Sequence, residues 1–218
     1  MRAISVDLLN LQGMMKSNNR PCRRRTNEGA VSIQVTRAFG CRVKGVDILP
    51  AFIDYATEKA AEYGVAHLCD FHAQDVNVTV EREKDYNVVI LRATGDILGE
   101  PQVMLRKLKG MIRAGGWILI DDAYCADGRE GLYHTRDQWM RYFQDAGVRL
   151  AAEIPADSQA MTEDNICQQA SIVRRAEELK SAYPDMAPMF DEYIRSQQAE
   201  CDEIASELAC VTLLLQAV

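Results

Sequence analysis

The chain has 218 residues, 48% of them apolar and 26% charged, which suits one well-cored soluble domain with an appendage. A net charge of −7 argues against a nucleic-acid backbone as the main partner, because such surfaces need clustered positive charge. The seven cysteines form no C-x-x-C pair and the three histidines (His67, His72, His134) lack i,i+4 spacing, so no metal site is expected and the thiols read as reduced and cytoplasmic.

Residues 1–15, "MRAISVDLLNLQGMM", carry Asp7 and Asn10 within the apolar stretch and make a poor secretion signal. No apolar run approaches the length of a membrane span, so no membrane partner is expected. Arg20 and Arg23 to Arg25 form the one basic cluster, which reads as a solvated segment. Residues 1–27 as a whole are expected to be irregular or disordered.

At Glu28 the pattern changes. "EGAVSIQVTRAFG" places Val31, Val35 and Ala38 on one helical face and stops at Gly40. "RVKGVDIL" is short and β-branched, a strand. "PAFIDYATEKAAEYG" has Pro50 near a first helical position, an apolar face of Ile53, Ala56, Ala60 and Tyr63, and Gly64 as terminator. A short strand is expected within "HLCDFHAQDV", and "YNVVIL" reads as a strand buried on both faces. The helix "EPQVMLRKLKGMIRAGG" follows, turned by Gly115 and Gly116, then the strand "WILIDDAY" and the helix "TRDQWMRYFQDAG", capped by Thr135 or Asp137.

"VRLAAEIPA" and "ACVTLLLQA" are the last two strands. The segment between them, about 160–207, predicts two long helices separated near Pro184, with Met186, Phe190, Tyr193, Cys201, Ile204 and Leu208 as a packing stripe. Alternating strands and helices predict a doubly wound, mainly parallel α/β sheet over residues 28–218, with a helical insertion before the last strand.

In such a sheet the loops after the strands build the site. They carry Asp47, then Gln74 and Asp75, then Arg92 to Asp96, then Asp121 and Asp122. A carboxylate ending the second strand can accept both hydrogen bonds of a ribose diol, and an acid one loop later can accept from an adenine amino group.

From about Glu28 to Gly128 the chain resembles the class I S-adenosylmethionine-dependent methyltransferases, through "EGAVSIQVTRAFGCRVKGVDILPAFIDYATEKAAEYGV", "FHAQDV", "DYNVVILRATGDILGEP" and "LRKLKGMIRAGGWILIDDAY". The resemblance implies a Rossmann-like methyltransferase fold whose last strand is antiparallel, with S-adenosylmethionine as cofactor. It implies that Asp47 holds the ribose and Ile48 packs on adenine. It further implies that Asp75, with Gln74 and Val76 beside it, approaches the adenine amino group, and that Arg92 and Ala93 line the methionine end. The family expects an apolar strand, an acid and a G-x-G-x-G turn before the first helix. Here Gly29 matches the last glycine, Asn27 and Arg25 stand at the earlier glycines, and Arg23 stands at the acid. Glycine allows the left-handed backbone and close approach that such a loop needs, and arginine does not.

Methyl transfer is an in-line displacement in which positioning does much of the work, and a base is needed only where the acceptor must lose a proton. Asp96, Asp122, Tyr124 and His134 are the residues near the mouth that could serve, and none is assigned. The leading expectation is methyl transfer to a small-molecule acceptor. Its rivals are a non-catalytic or defective methyltransferase-like scaffold lacking the first cofactor loop, and an NAD-dependent oxidoreductase. The oxidoreductase reading lacks the glycine fingerprint. The abrupt change at Glu28 also suits a displaced reading frame upstream of that codon.

Overall fold

The computed structural model describes residues 6–10, 31–92, 95–126, 128 and 133–218. In chain order these form β1 (Val6–Asn10), α1 (Val31–Phe39), β2 (Arg42–Asp47), α2 (Pro50–Glu62), β3 (Cys69–Ala73), α3 (Val76–Arg82), β4 (Tyr86–Arg92) and α4 (Pro101–Met111). There follow β5 (Ile112–Cys125), α5 (Arg136–Ala146), β6 (Val148–Pro155), α6 (Ser158–Ala182), α7 (Ala187–Glu207) and β7 (Leu208–Ala217).

The seven strands lie in the order β3-β2-β1-β4-β5-β7-β6. β2 pairs parallel to β3, and β4 parallel to β5. β1 is antiparallel to both β2 and β4, so those two run the same way and β1 runs opposite to both of its neighbours. Val218 N–H bonds to Gly147 C=O while Ala156 N–H bonds to Cys210 C=O, so β6 and β7 run antiparallel to each other. The sheet is mainly parallel and doubly wound, as expected, with the two-helix insertion directly before the last strand.

β1 corrects one expectation: residues 6–10 are a strand in the middle of the sheet, within a segment read as irregular. A gap between two parallel strands exposes two rows of backbone N–H and C=O groups, and a five-residue extended segment satisfies them. The direction matters more. Asn10 pairs with Arg42, the first residue of β2, and Val6 pairs with Val46 and Leu91 near the ends of β2 and β4. The chain therefore leaves β1 at the amino edge of the sheet. Gly29 and the rest of residues 11–30 lie outside the described residues.

The apolar face of α1 also differs from its sequence pattern. Ser32, Ile33 and Thr36 are its buried residues, Val31 and Val35 flank them, and Ala38 is exposed. Ile33 is enclosed by Ala60 and Val65, while Val31 and Val35 pack toward Cys41, Val43 and Ile90. Ser32 sits against β2 where Gly45 offers no side chain. A Cβ there would stand 2.6 Å from the Phe71 ring and 3.4 Å from Ser32 Oγ.

α3 was not foreseen; its "VNVTVER" is β-branched and reads poorly as helix. α4 ends at Met111 rather than at the glycine pair, and Ile112 to Gly116 belong to β5. The register against β4 shifts between Tyr86 and Val88, and Gly115 adopts φ +70° within this irregular stretch. The pair thus shapes a strand irregularity instead of a helix end. α5 begins on a reciprocal cap: Gln138 N–H donates to Thr135 Oγ1 at 3.2 Å, and Thr135 N–H donates to Gln138 Oε1 at 2.8 Å.

The chain divides into two compact units, one of residues 1–122, 139–153 and 213–218, the other of 123–138 and 154–212. In the first, Val89, Ile90 and Leu91 of β4 are all at most 3% exposed, as a strand covered on both faces must be. Leu105, Leu108 and Met111 of α4 are fully buried. In the second, α6 and α7 form a helical hairpin stitched by Gln169 Nε2 donating to Ile194 C=O and by a Lys180–Asp191 ion pair. Of the stripe expected on α7 and just beyond it, Phe190, Cys201, Ile204 and Leu208 are half-buried, while Met186 and Tyr193 are exposed. A two-helix seam is narrow, and it covers less of each helix than a full core does.

Candidate functional site

Asp47 is the last residue of β2 and only 7% exposed. One carboxylate oxygen, Oδ1, accepts from Leu49 N–H at 2.8 Å, which turns the chain toward Pro50 at the first position of α2. Burial raises the Asp47 carboxyl above its ordinary value, and the Leu49 hydrogen bond only partly offsets this. Oδ2 takes no partner among the described residues. A desolvated carboxylate short of one donor is a group that hydroxyl donors can satisfy.

The end of β3 is tied to the same point. Gln74 N–H donates to Asp47 C=O at 2.9 Å, and Gln74 Nε2 donates to Thr79 Oγ1 at 2.9 Å. Asp75 caps α3, its Oδ1 accepting from Asn77 N–H at 2.8 Å. Asp75 is exposed and its other oxygen has no partner among the described residues. Ile48 is 55% exposed, whereas Val76 is 5% exposed and built into the core. The fold therefore brings Asp47, Ile48, Gln74 and Asp75 to one edge, where the Ile48 side chain is open to solvent. Val76 turns away from it.

Sequence reading missed Asn77. Its amide Nδ2 donates to Ile97 C=O at 3.2 Å, and Lys107 Nζ donates to its Oδ1 at 3.2 Å and to Leu98 C=O at 3.0 Å. These bonds fasten the start of α3 to the turn after β4. The local signal is the Asp-x-Asn spacing of a helix cap, hidden in a β-branched run.

Arg92 ends β4 and is the register partner of Asp121 on β5. Its Nε donates to Asp121 Oδ2, and its side chain is 54% exposed against 21% for Asp121. Ala93 lies outside the described residues. Among residues considered for a base, Asp96 and Asp122 are exposed, Tyr124 is buried at 5% and His134 is half-buried. Tyr124 is thus a packed aromatic. The His134 backbone C=O accepts from Cys125 N–H at 2.9 Å, so this residue also holds its loop.

The opposite edge differs in kind. A cavity of about 480 Å³ there is lined by Arg42, Lys44, His67, Asp70 and Tyr86, at the starts of β2, β3 and β4. Two of its lining residues meet Glu83: Lys44 Nζ lies 2.7 Å from Glu83 Oε1, and the Tyr86 hydroxyl donates to Glu83 Oε2 at 2.6 Å. These bonds hold the Glu83 carboxyl below its ordinary value, and burial followed by the Glu83 bond pushes the Tyr86 phenol up. No cluster of His, Cys, Asp or Glu that could hold a metal occurs among the described residues. No helix among them is long and apolar enough to cross a membrane.

A doubly wound sheet with acids at the carboxyl ends of its second and third strands is the frame of a nucleoside-binding α/β protein. Residues 26–116 match the family model of a methyltransferase domain. The fold is similar to a SAM-dependent methyltransferase from Geobacter sulfurreducens solved with S-adenosyl-L-homocysteine, at TM-score 0.72 and 19% identity over 85% of this chain and 79% of that one. It is similar to a SAM-dependent methyltransferase from Thiobacillus denitrificans, also with S-adenosyl-L-homocysteine, at TM-score 0.70 and 16% identity over 85% and 79%. The [4+2]-cyclase SpnF shares the fold at TM-score 0.58 and 15% identity, over 85% of this chain and 69% of that one. No curated protein matches by sequence. The family model covers residues 26–116, less than half of the chain, and the solved methyltransferases share its fold, in line with the sequence motifs.

Proposed function

We propose that the chain transfers the methyl group of S-adenosylmethionine to a small-molecule acceptor in the cytoplasm. Asp47 accepts the ribose hydroxyls, Ile48 supports the adenine ring, and Asp75, placed by Gln74, accepts from the adenine amino group. Arg92 faces the methionine half. The observation that carries this reading is Asp47: buried, raised above its ordinary value, and with one carboxylate oxygen open at the strand end. A role as a turn residue alone would be served by Oδ1 and would give no reason to desolvate the rest of the group.

A second reading rests on β1. The family feeds its glycine turn from a strand ending at the edge where Asp47 lies, and this β1 ends at the other edge. A methyltransferase-like scaffold with weak or no cofactor binding follows from that, and the cyclase neighbour shows that the fold alone does not fix a reaction. Isothermal titration with S-adenosylmethionine, S-adenosylhomocysteine and NAD separates the readings. Micromolar binding of the first two, lost on Asp47→Ala, supports the transferase. Absence of binding to all three supports the scaffold, and binding of NAD alone would overturn both.

A further inference from the structure

Asp47 and Arg92 end β2 and β4, Asp75 follows β3 by two residues, and Asp121, in register with Arg92, is followed by Asp122 within β5; Arg92 is the one cation among these residues. Arg92 stands at the point where the strand order turns, between β1 and β4, where open α/β sheets bind their ligands. Its position is fixed twice, by its register opposite Asp121 and by the ion pair from Nε to Asp121 Oδ2. That pair uses the side of the guanidinium. The two Nη groups take no partner among the described residues, and 54% of the side chain is open to solvent. A guanidinium oriented through Nε presents its Nη fork in the geometry that matches a carboxylate with two parallel hydrogen bonds.

We infer that Arg92, oriented by Asp121, is a carboxylate-binding residue at the methyl-transfer end of the site. The inference rests on the methyltransferase reading above. Two carboxylates can meet it there: that of the cofactor's amino-acid half, or one carried by the acceptor. In the first case Arg92 takes over part of the anchoring that a glycine-rich turn would supply. In the second it restricts the acceptors to carboxylic acids. In both, Asp121 is a positioning residue, keeping the fork turned outward.

Calorimetry on the full chain, its Arg92→Gln variant and its Arg92→Lys variant tests this. The probes are S-adenosylhomocysteine, 5′-methylthioadenosine (the same nucleoside thioether without the amino-acid carboxylate), and benzoate added to protein saturated with S-adenosylhomocysteine. Loss of roughly 10- to 100-fold in S-adenosylhomocysteine affinity in Arg92→Gln, with methylthioadenosine unchanged, assigns the cofactor's carboxylate. Unchanged nucleoside binding with benzoate binding lost in Arg92→Gln assigns the acceptor's. The Lys variant recovers part of either loss, because it keeps the charge without the fork. Equal affinities of wild type and Arg92→Gln for all three probes would overturn the inference while leaving the transferase reading intact. A wild-type chain that binds neither nucleoside overturns that reading, and this inference with it. Melting curves of the three proteins identify any variant that has lost its fold.

Discussion

At Asp47 a single side chain has two tasks that pull in opposite directions. Its Oδ1 closes the turn into α2 through Leu49, and its burial makes the ionised form costly. The sign of the consequence follows from the raised carboxyl. In the free chain Asp47 ionises at the ordinary carboxylate value, and in the fold it ionises higher, so stability is greatest below the ordinary value. It falls as pH rises through the interval up to the raised one, and is level above. Hydroxyl donors from a ribose reverse the preference, because they favour the charged form. S-Adenosylhomocysteine affinity is therefore expected to rise with pH through that interval, with release of a proton on binding inside it. Asp47→Asn keeps an acceptor for Leu49 N–H and removes the buried charge. It should leave the unliganded protein at least as stable at neutral pH, weaken the ligand by about 10- to 100-fold, and flatten the pH profile. Titrations in buffers of different ionisation enthalpy measure the proton release. A profile as steep in the Asp47→Asn variant as in wild type would assign the dependence to another group.

Among the elements, α3 shows where sequence patterns stop being informative. "VNVTVER" alternates β-branched residues, and its intrinsic propensity opposes a helix. It folds as one because Asp75 caps it and because Val76, Thr79 and Val80 fall on a single buried face at i, i+3 and i+4. Tertiary burial decides the matter, and no local window contains that information. The strands were easier to read. "YNVVIL" and "WILI" are continuous apolar runs with one structural solution, and Asp47, Gln74, Asp75 and Arg92 could be placed at strand ends by counting. The partners of those residues could not: the Leu49 bond, the Asn77 network and the Arg92–Asp121 pair join segments distant in sequence or depend on rotamers. α3 also allows the cap and the ligand contact of Asp75 to be separated. Asp75→Ala removes both, and about 1 kcal/mol of stability with the cap. Asp75→Asn is an equally good cap, so it should melt near wild type. If the carboxylate meets the adenine amino group, both variants weaken S-adenosylhomocysteine alike. Retained affinity in Asp75→Asn would leave the residue with a capping role alone.

For the whole molecule the central question is the strand between β2 and β4. That slot is the middle of the sheet, and its occupant decides what reaches the crevice beside Asp47. "VDLLN" satisfies the backbone of both neighbours, yet its direction carries the chain from the carboxyl edge to the amino edge. A parallel occupant would end beside Asp47 and turn straight into α1, delivering backbone N–H groups and a carboxylate to the ligand. Pairing alone does not choose between these directions, since antiparallel ladders are at least as stable per residue as parallel ones. Between strand and helix, Arg23, Arg25 and Asn27 stand in place of the acid and two glycines that the resemblance leads one to expect. A chain with residues 1–22 replaced by a short apolar strand, together with Arg23→Asp, Arg25→Gly and Asn27→Gly, should reverse β1 and bind S-adenosylhomocysteine at least about tenfold more tightly. Calorimetry measures the gain, and cross-linking between the new strand's last residue and Asp47→Cys reports its direction. The same reasoning extends to the gene: if DNA upstream of the Glu28 codon, read in another frame, encodes an apolar strand followed by D-x-G-x-G, the N-terminal segment is a frame error. A resequenced region without such a motif would show that the reversed strand is the protein's own. The engineered chain would then measure how much cofactor affinity this fold retains without its glycine turn.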